Sequence, residues 1–267
     1  MHFSVLGSGS RGNAVYIESG ETAILIDAGF SGKEIERRLG LIGRDLDDLD
    51  AILLTHEHND HIQGAGILSR RCGLPLYVTA GTLRGGEKRL GRSCRFSEIG
   101  SGDYFEIRDM TIRSFAISHD CQEPVGFVIR NDQVSLGYCT DTGRVSHLIG
   151  QRLKGCQGLI LEFNHDPELL RMGPYPLVLQ QRVRSSQGHL ANEQAAEFLS
   201  TLIHDGLEQV VLAHLSETNN RPELAMARAQ EVVAASRVNL QLRVAVQDQP
   251  SPLIPLGGGS SCSPGNE

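Results

Sequence analysis

Between Thr55 and Ile62 the chain reads His56-Glu57-His58-Asn59-Asp60-His61, entered from the apolar run Ala51-Ile52-Leu53-Leu54. His56, His58, Asp60 and His61 are all residue types that bind metal. Side chains two apart on an extended segment point to the same side. An extended reading therefore lets His56, His58 and Asp60 converge. His61 adds an imidazole from the turn where the chain enters a helix predicted over 62–72. Imidazole with carboxylate suits zinc, manganese or iron. The fold must accordingly deliver a buried strand whose end lies at a metal.

Three later strands end the same way. The alternating segment Ile112 to Ser118 delivers His119, and Val134 to Thr140 delivers Asp141, followed by Thr142-Gly143. Gln209 to Ala213 delivers His214. With the first run, this order resembles the metallo-β-lactamase superfamily. The resemblance implies an α/β fold, the αββα four-layer sandwich, with metal at the edge of its two sheets. It also implies two divalent metal ions (Zn, Mn or Fe). One would be held by His56, His58 and His119, the other by Asp60, His61 and His214, with Asp141 bridging. A bridging carboxylate suits cations about 3.5–4 Å apart, and the net positive pair favours an anionic substrate or an oxyanion in the transition state.

Composition narrows the classes. The chain has 267 residues, enough for one large α/β domain. Its longest apolar runs are strand-length, so no membrane span is expected. The N-terminus reads as a strand and lacks the regions of a secretory signal. The six cysteines lack C-x-x-C spacing, and Cys72, Cys94, Cys121, Cys139 and Cys156 read as free thiols in a reducing cytoplasm. A net charge of −7 argues against a protein that coats nucleic acid, though not against a nuclease with a local basic patch. Arg84, Lys88, Arg92 and Arg95 would form such a stripe on a helix, but Gly85, Gly86 and Gly91 weaken that helix. Elsewhere the pattern gives strands through the first two-thirds, then strands alternating with helices, among them 192–203 and 222–236. Residues 1–248 are expected to form one domain. From Gln249 the chain is rich in Pro, Gly and Ser, and 249–267 is expected to be a disordered tail.

The segments between the Asp141 and His214 strand ends discriminate among hydrolases. Leu161-Glu162-Phe163-Asn164-His165-Asp166 and Gly188-His189-Leu190-Ala191-Asn192 resemble ribonuclease Z in order, with departures at Asn164 and Ala191 and no long inserted arm. A wider set resembles the YycJ/VicX (WalJ) branch. It comprises Ser8 to Asn13, Ile26 to Gly29, Thr55 to His61, His119-Asp120, Thr140 to Gly143, Asn164 to Asp166, Gly188 to Asn192 and His214 to Asn220. That resemblance implies a metal-dependent nuclease acting on DNA ends, with DNA as substrate and no obligate protein partner. Read from the residues, His189 sits at a glycine-marked helix entrance, and Glu162 is the carboxylate available to orient it. The pair would protonate the leaving oxygen of a phosphodiester. Asp60 counts with the catalytic set as well as among the ligands. His165, Ser216 and Asn219 are expected to touch substrate. Two alternatives stay open at this point: a small-molecule phosphodiesterase or thioester or lactone hydrolase of the same fold, and a non-catalytic regulatory metal-binding protein.

Overall fold

Short apolar runs that alternate between two environments produce two sheets here. The structure, a computed structural model, describes residues 1–91 and 95–257. The first sheet contains β1 (His2–Gly7), β2 (Ala14–Ser19), β3 (Thr22–Ile26), β4 (Ala51–Leu53), β5 (Pro75–Thr79) and β6 (Arg95–Ile99), in that order. The second contains β7 (Tyr104–Ile107), β8 (Met110–Ala116), β9 (Val125–Arg130), β10 (Ser135–Cys139), β11 (Gly158–Glu162), β12 (Gln209–Ala213) and β13 (Gln241–Val244) in sequential order. A last short strand, β14 (Ile254–Pro255), pairs antiparallel with β1 at the outer edge of the first sheet.

Period-two alternation decides which sheet face each side chain joins. On β3, Ile24 and Ile26 join the core between the sheets, while Ala23 and Leu25 join the core under the helices. The same split holds on β12, where Val211 and Ala213 face inward and Val210 and Leu212 outward. Strands buried on both faces read as continuous apolar runs, as expected for parallel strands covered on each side. Helices α1 (Gly32–Leu41), α2 (Asn59–Ile62), α3 (Ala65–Cys72) and α4 (Ala80–Leu90) accompany the first sheet. Helices α5 (His147–Leu153), α6 (Pro167–Met172), α7 (Leu177–Val183), α8 (Asn192–Leu202) and α9 (Pro222–Ser236) accompany the second. Three apolar clusters result, one between the sheets and one under each helical layer, which is the αββα sandwich. At α1, the Ser31 side chain accepts the Glu34 amide at 3.2 Å, as its capping pattern predicts.

Several expectations are corrected. The helix predicted from Ile62 begins at Asn59 and is divided at Gly64 into α2 and α3. Gly64 accounts for the break: its amide donates to Ala28 O, and a Cβ there would lie 2.2 Å from Phe30 O. Asp60 consequently reaches the ligand cluster from a helical turn and not from an extended segment. The basic stripe does not form as one helical face, because α4 ends at Leu90 and Arg95 lies on β6; Arg92 lies outside the described residues. The tail expected from Gln249 is corrected over 249–257. The Ser251 amide donates to Val5 O and the Leu256 amide to Met1 O, both at 2.9 Å, and Ile254 and Leu256 are buried. Two apolar side chains and an open edge on β1 outweigh the entropy that favours a loose Pro- and Gly-rich segment. Residues 258–267 lie outside the described residues.

Leu256→Ala should therefore cost about 2–5 kcal/mol in urea unfolding, as a buried leucine does. A loss below about 0.5 kcal/mol, typical of surface sites, would mean that the segment does not close the sheet.

Candidate metal centre

The C-terminal ends of β3, β4, β10, β11 and β12 meet along one edge of the sandwich; His56 and His58 follow β4, His119 follows β8, Asp141 follows β10 and His214 follows β12, while Asp60 and His61 come from α2. After β4 the chain runs through buried Thr55 to His56 and His58. The His56 Nε2 and His58 Nδ1 atoms are 3.1 Å apart, and His119 Nε2 is 3.2 Å from the same His58 nitrogen. These three nitrogens from two chain segments can hold one cation. A second group forms alongside. Asp60 Oδ2 lies 3.5 Å from His61 Nε2 and 3.7 Å from His214 Nε2. Asp141 stands between the groups: its Oδ1 is 3.2 Å from His214 Nε2 and 3.9 Å from His119 Nε2, and its Oδ2 is 3.5 Å from His61 Nε2.

The donor set fits divalent cations on its own chemistry. Asp141 Oδ2 and His214 Nε2 are buried, yet neither has a hydrogen-bond partner. Buried polar atoms are almost always paired, so orphans of this kind call for an explanation. His214 Nε2 and Asp141 Oδ1 approach without hydrogen-bond geometry, as atoms aimed at a common third point do. The fold and these clusters together indicate divalent metal use.

Behind the ligands lies a carboxylate that reading the sequence missed. Asp27, wholly buried after β3, accepts from the Thr55 amide at 2.9 Å and from the Thr55 hydroxyl at 2.8 Å. It also sits 2.8 Å from His61 Nδ1, while the Thr55 hydroxyl is 2.9 Å from His56 Nδ1. One carboxylate thereby fixes the tautomer of two imidazoles and turns both Nε2 atoms into the cleft. The only signal for it was the motif Ile26-Asp27-Ala28-Gly29, whose aspartate is 34 positions from His61. His119 is oriented differently, with Nδ1 3.1 Å from Gln187 O.

Charge follows from this packing. Burial alone would lower the His214 pKa, but Asp141, Asp60 and Glu162 outweigh it and hold the metal-free imidazole up to about 10. For His61 too, burial opposes the proton, yet Asp141, Asp27 and Asp60 raise its pKa well above the ordinary value. Desolvation pushes the Asp60 carboxyl up, but His61 and His214 override it and keep it ionised. His56 is kept neutral by burial and by the neighbouring imidazoles of His61, His119 and His58, against the pull of Asp60.

The remaining candidates fall into place unequally. His189 Nδ1 lies 2.7 Å from Glu162 Oε1, and the His189 ring stands beside His119 and His214 at centroid distances of 5.1 and 5.3 Å. Glu162 is fully buried at the end of β11, and its Oε2 accepts from the amides of Thr142 at 3.2 Å and Leu190 at 3.0 Å. Burial would raise its pKa, but His189 and His214 overcome that and hold it ionised. A cleft of about 200 Å³ opens here, lined among others by Asp60, Asp141, His189, Ser216 and Asn219. His165 does not line it. This residue is 2% exposed and has its backbone bridged to Ala191. On the outer wall Tyr175, Leu179 and Arg182 were not anticipated; Arg182 Nε donates to Asp120 Oδ2 at 2.6 Å.

The Beta-lactamase superfamily domain matches residues 22–215. Exodeoxyribonuclease YycJ of Bacillus anthracis is 39% identical over 235 residues, covering 87% of this chain and 89% of that protein. The chain belongs to the YycJ/WalJ family of the β-lactamase superfamily. Exodeoxyribonuclease WalJ of Streptococcus pneumoniae is 41% identical over 227 residues, covering 84% of each chain. Among solved structures, the metallo-β-lactamase fold protein YhfI from Bacillus subtilis superposes with a TM-score of 0.69 at 16% identity, over 94% of this chain and 98% of that one. That likeness shows the fold alone.

Two outcomes are expected. Asp27→Asn should weaken metal binding about 10–100-fold, as loss of a carboxylate behind a ligand does; unchanged affinity would contradict its orienting role. Protonated His61 and His214 must lose their protons before they can bind a cation. Metal affinity should therefore rise with pH from neutrality toward about 10, the His214 value. Calorimetry in buffers of different ionisation enthalpy should find proton release at neutral pH, and none would contradict the charge assignment.

Proposed function

We propose that this chain is a metal-dependent phosphodiester hydrolase that removes nucleotides from DNA ends, in the cytoplasm. One observation carries the chemistry: His189, locked by buried Glu162, faces the same cleft as both ligand clusters. The 39% and 41% identity to proteins named exodeoxyribonucleases supports the substrate class. In this reading the ligands are His56, His58 and His119 on one side, Asp60, His61 and His214 on the other, and Asp141 across both. Two divalent ions, Zn, Mn or Fe, would supply an activated water and neutralise the phosphate charge when bound.

The protein's own residues supply the rest. The Glu162 carboxylate accepts from His189 Nδ1–H and leaves Nε2 as the ring nitrogen for proton transfer. Held in this orientation, His189 can pass a proton from Nε2 to the leaving oxygen. Glu162 is itself held by two backbone amides, so the ring keeps one orientation while the proton moves. Ser216 and Asn219, on the cleft wall, supply polar contacts to the substrate backbone. Asn219 Oδ1 is buried without a partner and suits a donor on the substrate.

His189→Ala should retain its metal and lose about 10²–10⁴-fold in turnover on end-labelled double-stranded DNA. Normal turnover at full loading would remove His189 from the mechanism. Cleavage of bis-p-nitrophenyl phosphate without any cleavage of DNA would keep the chemistry and move the substrate to small molecules.

A further inference from the structure

The run Ser8-Gly9-Ser10-Arg11-Gly12-Asn13 joins β1 to β2 and ends against the cluster of Asp60, His61 and His214. Asn13 is 1% exposed. Its side-chain oxygen accepts from the Gly9 amide and from the Ser8 hydroxyl, both at 2.9 Å. A backbone N–H can meet only the oxygen of an amide side chain, so the Asn13 nitrogen is fixed on the other side. There Nδ2 donates to Gly9 O at 3.0 Å, and its second hydrogen faces Asp60 Oδ2 at 3.4 Å and His61 Nε2 at 3.1 Å.

Backbone contacts lock the same grip. The Asn13 amide donates to Asp60 O at 2.8 Å, and the Gly29 amide donates to Asn13 O at 2.9 Å. A Cβ at Gly29 would lie 1.7 Å from Asp60 O and 2.6 Å from Asn13 N, so glycine is what lets the three segments meet. The grip extends to a second ligand of the cluster. The His214 amide donates to Ser8 Oγ at 2.8 Å, and that hydroxyl donates onward to Asn13. Two side chains of one loop thereby join Asp60 on α2 to His214 beyond β12. The three-histidine cluster is held by other means, His56 through Thr55 and His119 through the Gln187 carbonyl.

We infer that Asn13 is a positioning residue for a cation held by Asp60, His61 and His214, and sets the affinity of that site and not of the three-histidine site. This rests on the ligand reading proposed above. An imidazole nitrogen has one lone pair, which a cation takes whole, whereas a carboxylate oxygen can accept an N–H and bind a cation together. With the site filled, the second Asn13 hydrogen therefore serves Asp60 and not His61. It keeps the carboxylate turned to the cleft while the Asn13 amide holds the Asp60 backbone. Asp27 differs in reach: it orients His61 directly and His56 through Thr55, one ligand of each cluster.

Zinc titration of the full chain against a chromogenic chelator tests this. Wild type should bind two ions. Asn13→Ala should bind one as wild type does and the other about 10–100-fold more weakly, as loss of a group behind a ligand does. Crystals of that variant soaked at limiting zinc should lose the anomalous peak beside Asp60, His61 and His214 and keep the one beside His56, His58 and His119. Should Asn13→Ala fail to fold, Ser8→Ala is read in its place; it keeps the Asn13 side chain, cuts its link to His214, and should weaken the same ion by a smaller factor. Equal weakening of both ions, no weakening of either, or loss of the peak beside the three histidines would overturn the inference and leave the ligand reading standing. A single ion in wild type would overturn the two-site reading beneath it.

Discussion

Three residues at strand ends hold backbone conformations that their side chains disfavour. Asp27 after β3, Asp141 beyond β10 and His214 after β12 have φ of 60°, 58° and 56°. A non-glycine residue in this region costs about 1–3 kcal/mol and persists only when its surroundings dictate it. The strand must stop abruptly and turn its last side chain across the edge of the sheet, and a left-handed residue does this in one step. Aspartate and histidine tolerate the region better than most residues, which reconciles the turn with the chemistry. The centre depends on these three turns. Asp27 orients the imidazoles from behind, while Asp141 and His214 face each other within the cleft.

The electrostatics of the centre follow from that geometry. Four carboxylates, of Asp27, Asp60, Asp141 and Glu162, lie against a cluster of imidazoles at the end of a closely packed core. So many buried charges are tolerable only when each meets a partner. In the metal-free chain those partners are protons on His61 and His214. Cations in the same space would replace the protons, so the site stays charge-compensated with or without them. His189 stands apart, since Glu162 holds it on Nδ1 and the cleft takes its other side.

The sequence made the strand ends legible because ligand-type residues terminate apolar runs of strand length. His56, His119, Asp141 and His214 could be read this way, and so could the pairing of His189 with Glu162, since Glu162 closes another such run. What escaped was information carried through space. Asp27 belongs to a four-residue motif with no local reason to face His61. Helix α4 was obscured by glycines whose role is close approach: a Cβ at Gly81 would meet the Glu123 backbone and side chain, and one at Gly85 the Glu57 side chain. The closing strand β14 is two residues long, too short to register against its Pro- and Gly-rich surroundings.

The central claim is that Asp141 joins two cation sites built from the ends of different strands. Anomalous diffraction from metal-loaded crystals, recorded on either side of the absorption edge, tests it most directly. The account predicts two peaks about 3.5–4 Å apart, one against His56, His58 and His119, one against Asp60, His61 and His214, with an Asp141 oxygen on each. A single peak, or a second peak that Asp141 does not touch, would contradict it.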